Sequence, residues 1–156
     1  MIRTALVVAA ATIALAGCTG DDGPPELGLG RGVDLDDLTA AVLQYQRDAE
    51  PRTANLPGSR MDAALVRMCN EAVDAGEAPD VFSAYAWTAR DDDGRSYDPT
   101  STTFQQSPSP LLPTETQVAM GDCVQGWVIW DVPADTTVVG IAFARDSGEA
   151  ATWSTS

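Results

Sequence analysis

The sequence predicts a small domain built largely of β-strands, and three observations carry that expectation. In VQGWVIWDV, Val124, Gly126, Val128, Trp130 and Val132 alternate with Gln125, Trp127, Ile129 and Asp131, the period of a strand with one wholly apolar face. In YAWTARDDDGRSY, a second alternation runs into a glycine-bearing acidic turn, the pattern of a hairpin. In TTVVGIAFARD, Val139, Ile141 and Phe143 fall on one side and small residues on the other.

Taken in chain order, the first seventeen residues carry one cation, Arg3, and an uncharged apolar run from Ala5 to Leu15. That run is shorter than the roughly 20 residues a spanning helix needs and reads as a signal-peptide core. Leu15-Ala16-Gly17-Cys18 resembles the bacterial lipobox, in which the cysteine is lipidated and becomes the new N-terminus. Two or three acyl chains at roughly 0.8 kcal/mol per buried CH₂ make a lasting anchor. Residues 18–31, rich in Gly, Pro and acid, cannot bury enough apolar surface to fold and read as a flexible tether. Residues 32–156 are then one domain of ordinary size.

Within that domain the first half reads two ways. DLDDLTAAVLQYQ and RMDAALVRMCNEAVDAG are rich in helix formers. Both also read at period two, through Thr39, Ala41, Leu43 and Tyr45 and through Ala64, Val66 and Met68. Propensity alone points to α+β. In the second half, Tyr85, Trp87 and Ala89 lead into the turn at Gly94, with Tyr97 starting the return strand. SPSPLLPTET at 107–116 reads as a long connection, because proline cannot donate to a central ladder. The strand ending at Pro133 is followed by the short PADT link, and EAATWSTS adds a last strand carrying Trp153.

The order of these features decides the class. From Glu26 onward the chain resembles the telokin-like, immunoglobulin-like domain of bacterial secreted proteins and lipoproteins, a family of unknown function. The likeness lies in LGLGRGVDLDDLTAAVLQYQRDAEP, ALVRMCN, WTARDDDGRSYDP and GDCVQGWVIWDVP, in that order. It implies an all-β, immunoglobulin-like β-sandwich of about seven strands, and no known activity. Members often carry a cysteine pair where Cys69 and Cys123 stand.

Composition narrows the chemistry. The nine basic residues are all Arg, against 23 acidic ones, and the net charge of -14 argues against nucleic acid and anionic headgroups as partners. Without histidine there is no Ser-His-Asp or Cys-His catalysis, and most zinc and copper sites go too. Without lysine there is no Schiff base and no P-loop cation. With Cys18 lipidated, Cys69 and Cys123 remain in an oxidising compartment, where an even pair reads as a disulfide and two buried thiols are the other reading. The bridge would close a loop of about 55 residues, worth roughly 4 kcal/mol.

Three candidate sites stand beside plainer readings. Asp91, Asp92 and Asp93 precede Gly94, but an EF-hand registered on that glycine would begin at Ala89 and end at Thr100. The motif fails, leaving a solvated turn or a weak cation site outside it. Trp127 and Ile129 form an interaction face if their side of the strand is open, and an ordinary packed face if a loop such as SPSPLLP covers them. Hydroxyls near Thr100–Thr103 have no base to activate them, and no carboxylate pair is marked for glycoside cleavage. The expectation is a lipid-anchored module on the extracytoplasmic side of the membrane, without catalytic activity or cofactor. It would meet an envelope protein or a small ligand, or serve the envelope structurally.

Overall fold

The chain folds as a β-sandwich. The computed structural model describes residues 26–49, 58–72, 80–101, 107–146, 148 and 150–156, so the expected signal peptide, Cys18 and most of the tether lie outside the described residues. Among them are eleven strands: β1 (Glu26–Leu27), β2 (Gly32–Leu35), β3 (Leu38–Gln46), β4 (Ser59–Asn70), β5 (Asp80–Ser83), β6 (Trp87–Asp91), β7 (Ser96–Tyr97), β8 (Glu115–Val118), β9 (Cys123–Pro133), β10 (Val138–Ala144) and β11 (Ala150–Ser154). A 3₁₀ turn, Ala84–Ala86, separates β5 from β6. One sheet has the order β1-β11-β10-β6-β7 and the other β2-β3-β4-β9, with β5 and β8 forming a small third sheet.

The helix-leaning segments form strands β3 and β4, the second of them as far as Asn70. β4 lies between β3 and β9 and is buried over most of its length, so its alanines, leucine and methionines face packed surroundings on both sides. A strand covered on both faces loses clean alternation, and burial there outweighs weak helix propensity. Between the two large sheets, Leu38, Ala40, Val42, Ala64, Val66, Met68, Val128, Trp130 and Val132 meet Trp87, Ala89, Val138, Ile141, Phe143, Ala151 and Trp153. Trp87 packs on Phe143 and Trp153 with ring centroids 4.8 and 5.5 Å apart. The Trp153 indole N–H donates to Arg31 O at 2.7 Å.

Two β-bulges correct two of the expected faces. On β3, Val42 pairs with Val66 but Gln44 with Leu65, so Leu43 is an extra residue. The inward set is Leu38, Ala40 and Val42, with Tyr45 joining only after the bulge, and not Thr39, Ala41 and Leu43. On β10, Val139 is extra between pairs made by Val138 and Gly140, so Val138 is buried and Val139 is 43% exposed. On both strands one inserted residue flips the alternation for everything on one side of it.

The start of the domain also moves. β1 pairs in parallel with β11, and Gly30 N–H donates to Val42 O at 2.7 Å. Residues 26–31 therefore belong to the sandwich and not to the tether that sequence placed at 18–31. At the other boundary of interest, PADT carries the chain from β9 in one sheet to β10 in the other.

β9 is the outer strand of its sheet, and its free edge is covered. Trp127 N–H donates to Pro110 O and Trp127 O accepts from Leu112 N–H, both at 2.9 Å, while Thr100 N–H donates to Ile129 O at 2.8 Å. The proline-rich connection thus lies alongside the strand as a short parallel companion. Covering an edge in this way removes a template for pairing with other chains.

Candidate functional site

At the end of the sandwich where β4 begins, two charged residues sit on the core face. Arg60 and Asp62 are two apart on a strand, hence on the same side, and only 8% and 0% exposed. The guanidinium grips the carboxylate as a fork, Nε to Oδ1 at 2.8 Å and Nη2 to Oδ2 at 3.0 Å. Its remaining N–H groups donate to Pro133 O, Ala134 O and Thr136 O at 3.2, 2.7 and 2.7 Å. The five donors of the guanidinium are all used, which is the condition under which a buried charge is tolerated. Asp62 also accepts from Asp48 N–H at 3.0 Å and from the Tyr45 hydroxyl at 2.5 Å. The hydrogen bond to Asp62, ahead of the opposing effect of burial, raises the Arg60 guanidinium above its ordinary value. Burial, reinforced by the Asp62 carboxylate, pushes the Tyr45 phenol well above its ordinary range and keeps it a donor.

Sequence reasoning passed over this network, although a signal was present. Extending the Ala64, Val66 and Met68 face backwards by twos reaches Asp62 and then Arg60. Opposite charges at consecutive core positions are a pair to look for.

The acidic turn is not an open acid cluster. Gly94 takes φ +80°, as the hairpin between β6 and β7 requires. Asp91 is 4% exposed and accepts from Arg95 N–H at 2.7 Å and from the Tyr97 hydroxyl at 2.8 Å. Asp93 and Arg95 form an ion pair at 3.2 Å on the surface. Burial pushes the Asp91 carboxyl up, but the two hydrogen bonds and the Arg95 charge outweigh it and hold it below its usual value. Its carboxylate is thus engaged inside the turn. Among the described residues no group of three potential metal-ligating side chains comes together.

Trp127 and Ile129 do not make an exposed face. Ile129 is 4% exposed and packs with Ala49, Met61 and Ala63, with Leu111 and Trp127 against them. The same connection that covers the β9 edge covers this patch, so the loop reading of SPSPLLP is the one the structure shows. On that outer face Cys69 and Cys123 stand directly opposite each other on β4 and β9 and are joined by a disulfide, with Cα atoms 4.0 Å apart.

The two most exposed large apolar side chains lie together elsewhere, at the opposite end of the sandwich from Arg60. Val81 and Tyr85 are 54% and 55% exposed. They stand on one wall of a 550 Å³ groove whose lining includes Met68, Phe82, Phe143 and Arg145. Ser83 caps the 3₁₀ turn, its Oγ accepting from Tyr85 N–H at 3.1 Å and donating to Thr114 O at 3.0 Å, which fixes the tyrosine outward. The other wall is held by an Arg145–Asp37 ion pair at 2.8 Å. The size is that of ordinary ligand pockets, and apolar side chains share the lining with Ser83, Glu115, Arg145 and Asp146. Sequence reasoning placed Tyr85 inside a strand, because nothing local marks the 3₁₀ turn that breaks it.

Fold and site together define a disulfide-stapled β-sandwich with open clefts at its ends. Among solved structures this chain is similar to a secreted protein of Mycobacterium tuberculosis, MPT63, at a TM-score of 0.60 and 16% identity, covering 85% of this chain and 98% of that one. It is also similar to a putative lipoprotein, YcdA, of Bacillus subtilis at a TM-score of 0.55 and 12% identity, covering 78% of this chain and 37% of that one. At such identities the likeness is one of fold. No protein-family model and no curated protein matches the sequence.

Proposed function

We propose that this protein is a lipid-anchored, extracytoplasmic interaction module of the telokin-like, immunoglobulin-like class, without catalytic activity. Its binding site is the groove rimmed by Val81 and Tyr85. The observation that carries this reading is the pair of exposed apolar side chains held outward over a pre-formed groove. A tyrosine presented in this way beside a groove is a common anchor of a protein contact. The net charge of -14 favours a partner with a basic surface, and an envelope protein meets both requirements. The cross-strand disulfide suits an oxidising compartment outside the cytoplasm. The lipobox at Cys18 supplies the anchor.

The covering of Trp127 supports a second reading, a structural envelope lipoprotein with no discrete partner. A photo-reactive residue at position 85, crosslinked on intact cells, separates the two. One dominant protein adduct at 85, absent from the same experiment at 127, is the expected result. Background adducts at both positions would remove the interaction reading and leave the structural one.

A further inference from the structure

A second and larger cleft, of 920 Å³, opens at the end of the sandwich where Arg60 and Asp62 close the core. Two of its walls come from different sheets: Tyr45 and the adjoining Arg47 from the end of β3, and Arg90 from β6. Three of the seven described arginines, Arg60, Arg95 and Arg145, hold carboxylates. The side chains of the other four, Arg31, Arg47, Arg67 and Arg90, have no partner among the described residues, and of these Arg47 and Arg90 line this cleft. Two guanidinia that share one cleft, and that hold no carboxylate among the described residues, offer a place for an external anion.

Hydroxyl-bearing side chains line much of the rest, beside Val138 and Val139. Thr152 and Ser154 are two apart on β11 and project from the face opposite the buried Ala151 and Trp153. Gly140 lies beside them and leaves no bulk of its own: a Cβ there would stand 3.2 Å from Thr152 Cγ2. The Tyr45 ring is pinned by its hydrogen bond to Asp62, so the buried ion pair holds an aromatic wall in place at the cleft. Glu26 and Asp91 also border the space, but the Asp91 carboxylate is engaged within its own turn.

We propose that this cleft binds an acidic oligosaccharide, with Arg47 and Arg90 taking its carboxylates, Thr152 and Ser154 its hydroxyls, and the Tyr45 ring an apolar sugar face. A bare anion would need the guanidinia alone. The hydroxyl pair and the fixed aromatic wall are what direct the assignment to a sugar.

Calorimetric titration of the whole purified protein with trigalacturonate tests this, beside maltotriose and inorganic phosphate. Trigalacturonate should bind, more weakly as salt is raised, and maltotriose should not. Arg47→Gln/Arg90→Gln should weaken binding at least tenfold, and Thr152→Val several-fold, with circular dichroism melts confirming folded variants. No heat with trigalacturonate, or binding unchanged by the double substitution, would overturn the assignment. Phosphate binding as well as trigalacturonate, with Thr152→Val silent, would reduce the site to a plain anion site and overturn the sugar.

Discussion

The Tyr45 hydroxyl donates to Asp62 Oδ2 at 2.5 Å, across the gap between the end of one strand and the start of the next. Because the phenol is raised above its ordinary value of 10.0, the folded state favours its protonated form. The stability this contributes is fully present below pH 10 and is lost as pH rises through the folded value. Tyr45→Phe should cost about 1–3 kcal/mol at neutral pH by leaving an acceptor short of a partner. Urea unfolding carried above pH 10 should then show wild type losing stability more steeply than the variant, and parallel slopes would contradict this account.

Breaking the ion pair beneath it should cost more. Asp62→Asn leaves Arg60 buried without its counter-charge, a change worth about 3–5 kcal/mol in comparable sites. Replacing both residues with apolar ones of similar volume should recover most of that loss. Denaturant midpoints of the three proteins provide the check.

Gly126 is a matter of space. A Cβ at this position would stand 2.4 Å from Leu112 N, so any side chain must push the covering segment off the β9 edge. Gly126→Ala should destabilise by about 1–3 kcal/mol as an overpacked site. It should also speed hydrogen exchange at the Leu112 N–H, which donates to Trp127 O, and at the Trp127 N–H, which donates to Pro110 O.

In the acidic turn the sign is reversed. The Asp91 carboxyl is held below its ordinary value of 3.8, so its contribution is present above that pH and is lost as pH falls through the folded value. Asp91→Asn should lower the melting temperature at neutral pH, and the difference from wild type should vanish in strong acid. Millimolar calcium should leave the wild-type melt where it was, since the carboxylate is already engaged; a clear rise would restore the cation reading.

Cys18→Ser should shift the protein from membrane to medium or leave its precursor uncleaved, followed by fractionation and immunoblot. Unchanged retention with normal processing would remove the lipid anchor.

What the residues revealed, and what they hid, have separate physical causes. β9 was readable because its inner face is unbroken from Val124 to Val132 and its partner lies on one side only. β4 was ambiguous because a central strand buried on both faces carries no alternation. The faces of β3 and β10 were misread at Leu43 and Val139, where an inserted residue resets the period; Gly140, directly after Val139, was a local sign of the second bulge, and Leu43 has no glycine or proline beside it. The groove was hidden for a different reason. Tyr85 follows the alternation of its neighbours, and the 3₁₀ turn that exposes it is set by Ser83 reaching Thr114, thirty-one positions away.

The chain enters the sandwich through β1, held to β11 by a ladder only two residues long. Any pull transmitted from upstream meets this short parallel join first. It is the weakest link in the load path, and it would let go long before the β4–β9 ladder, which is eleven pairs long and closed by a covalent bridge. The domain is therefore fitted with a mechanical fuse: a few residues of slack can be released under tension while the groove at Val81 and Tyr85 keeps its shape.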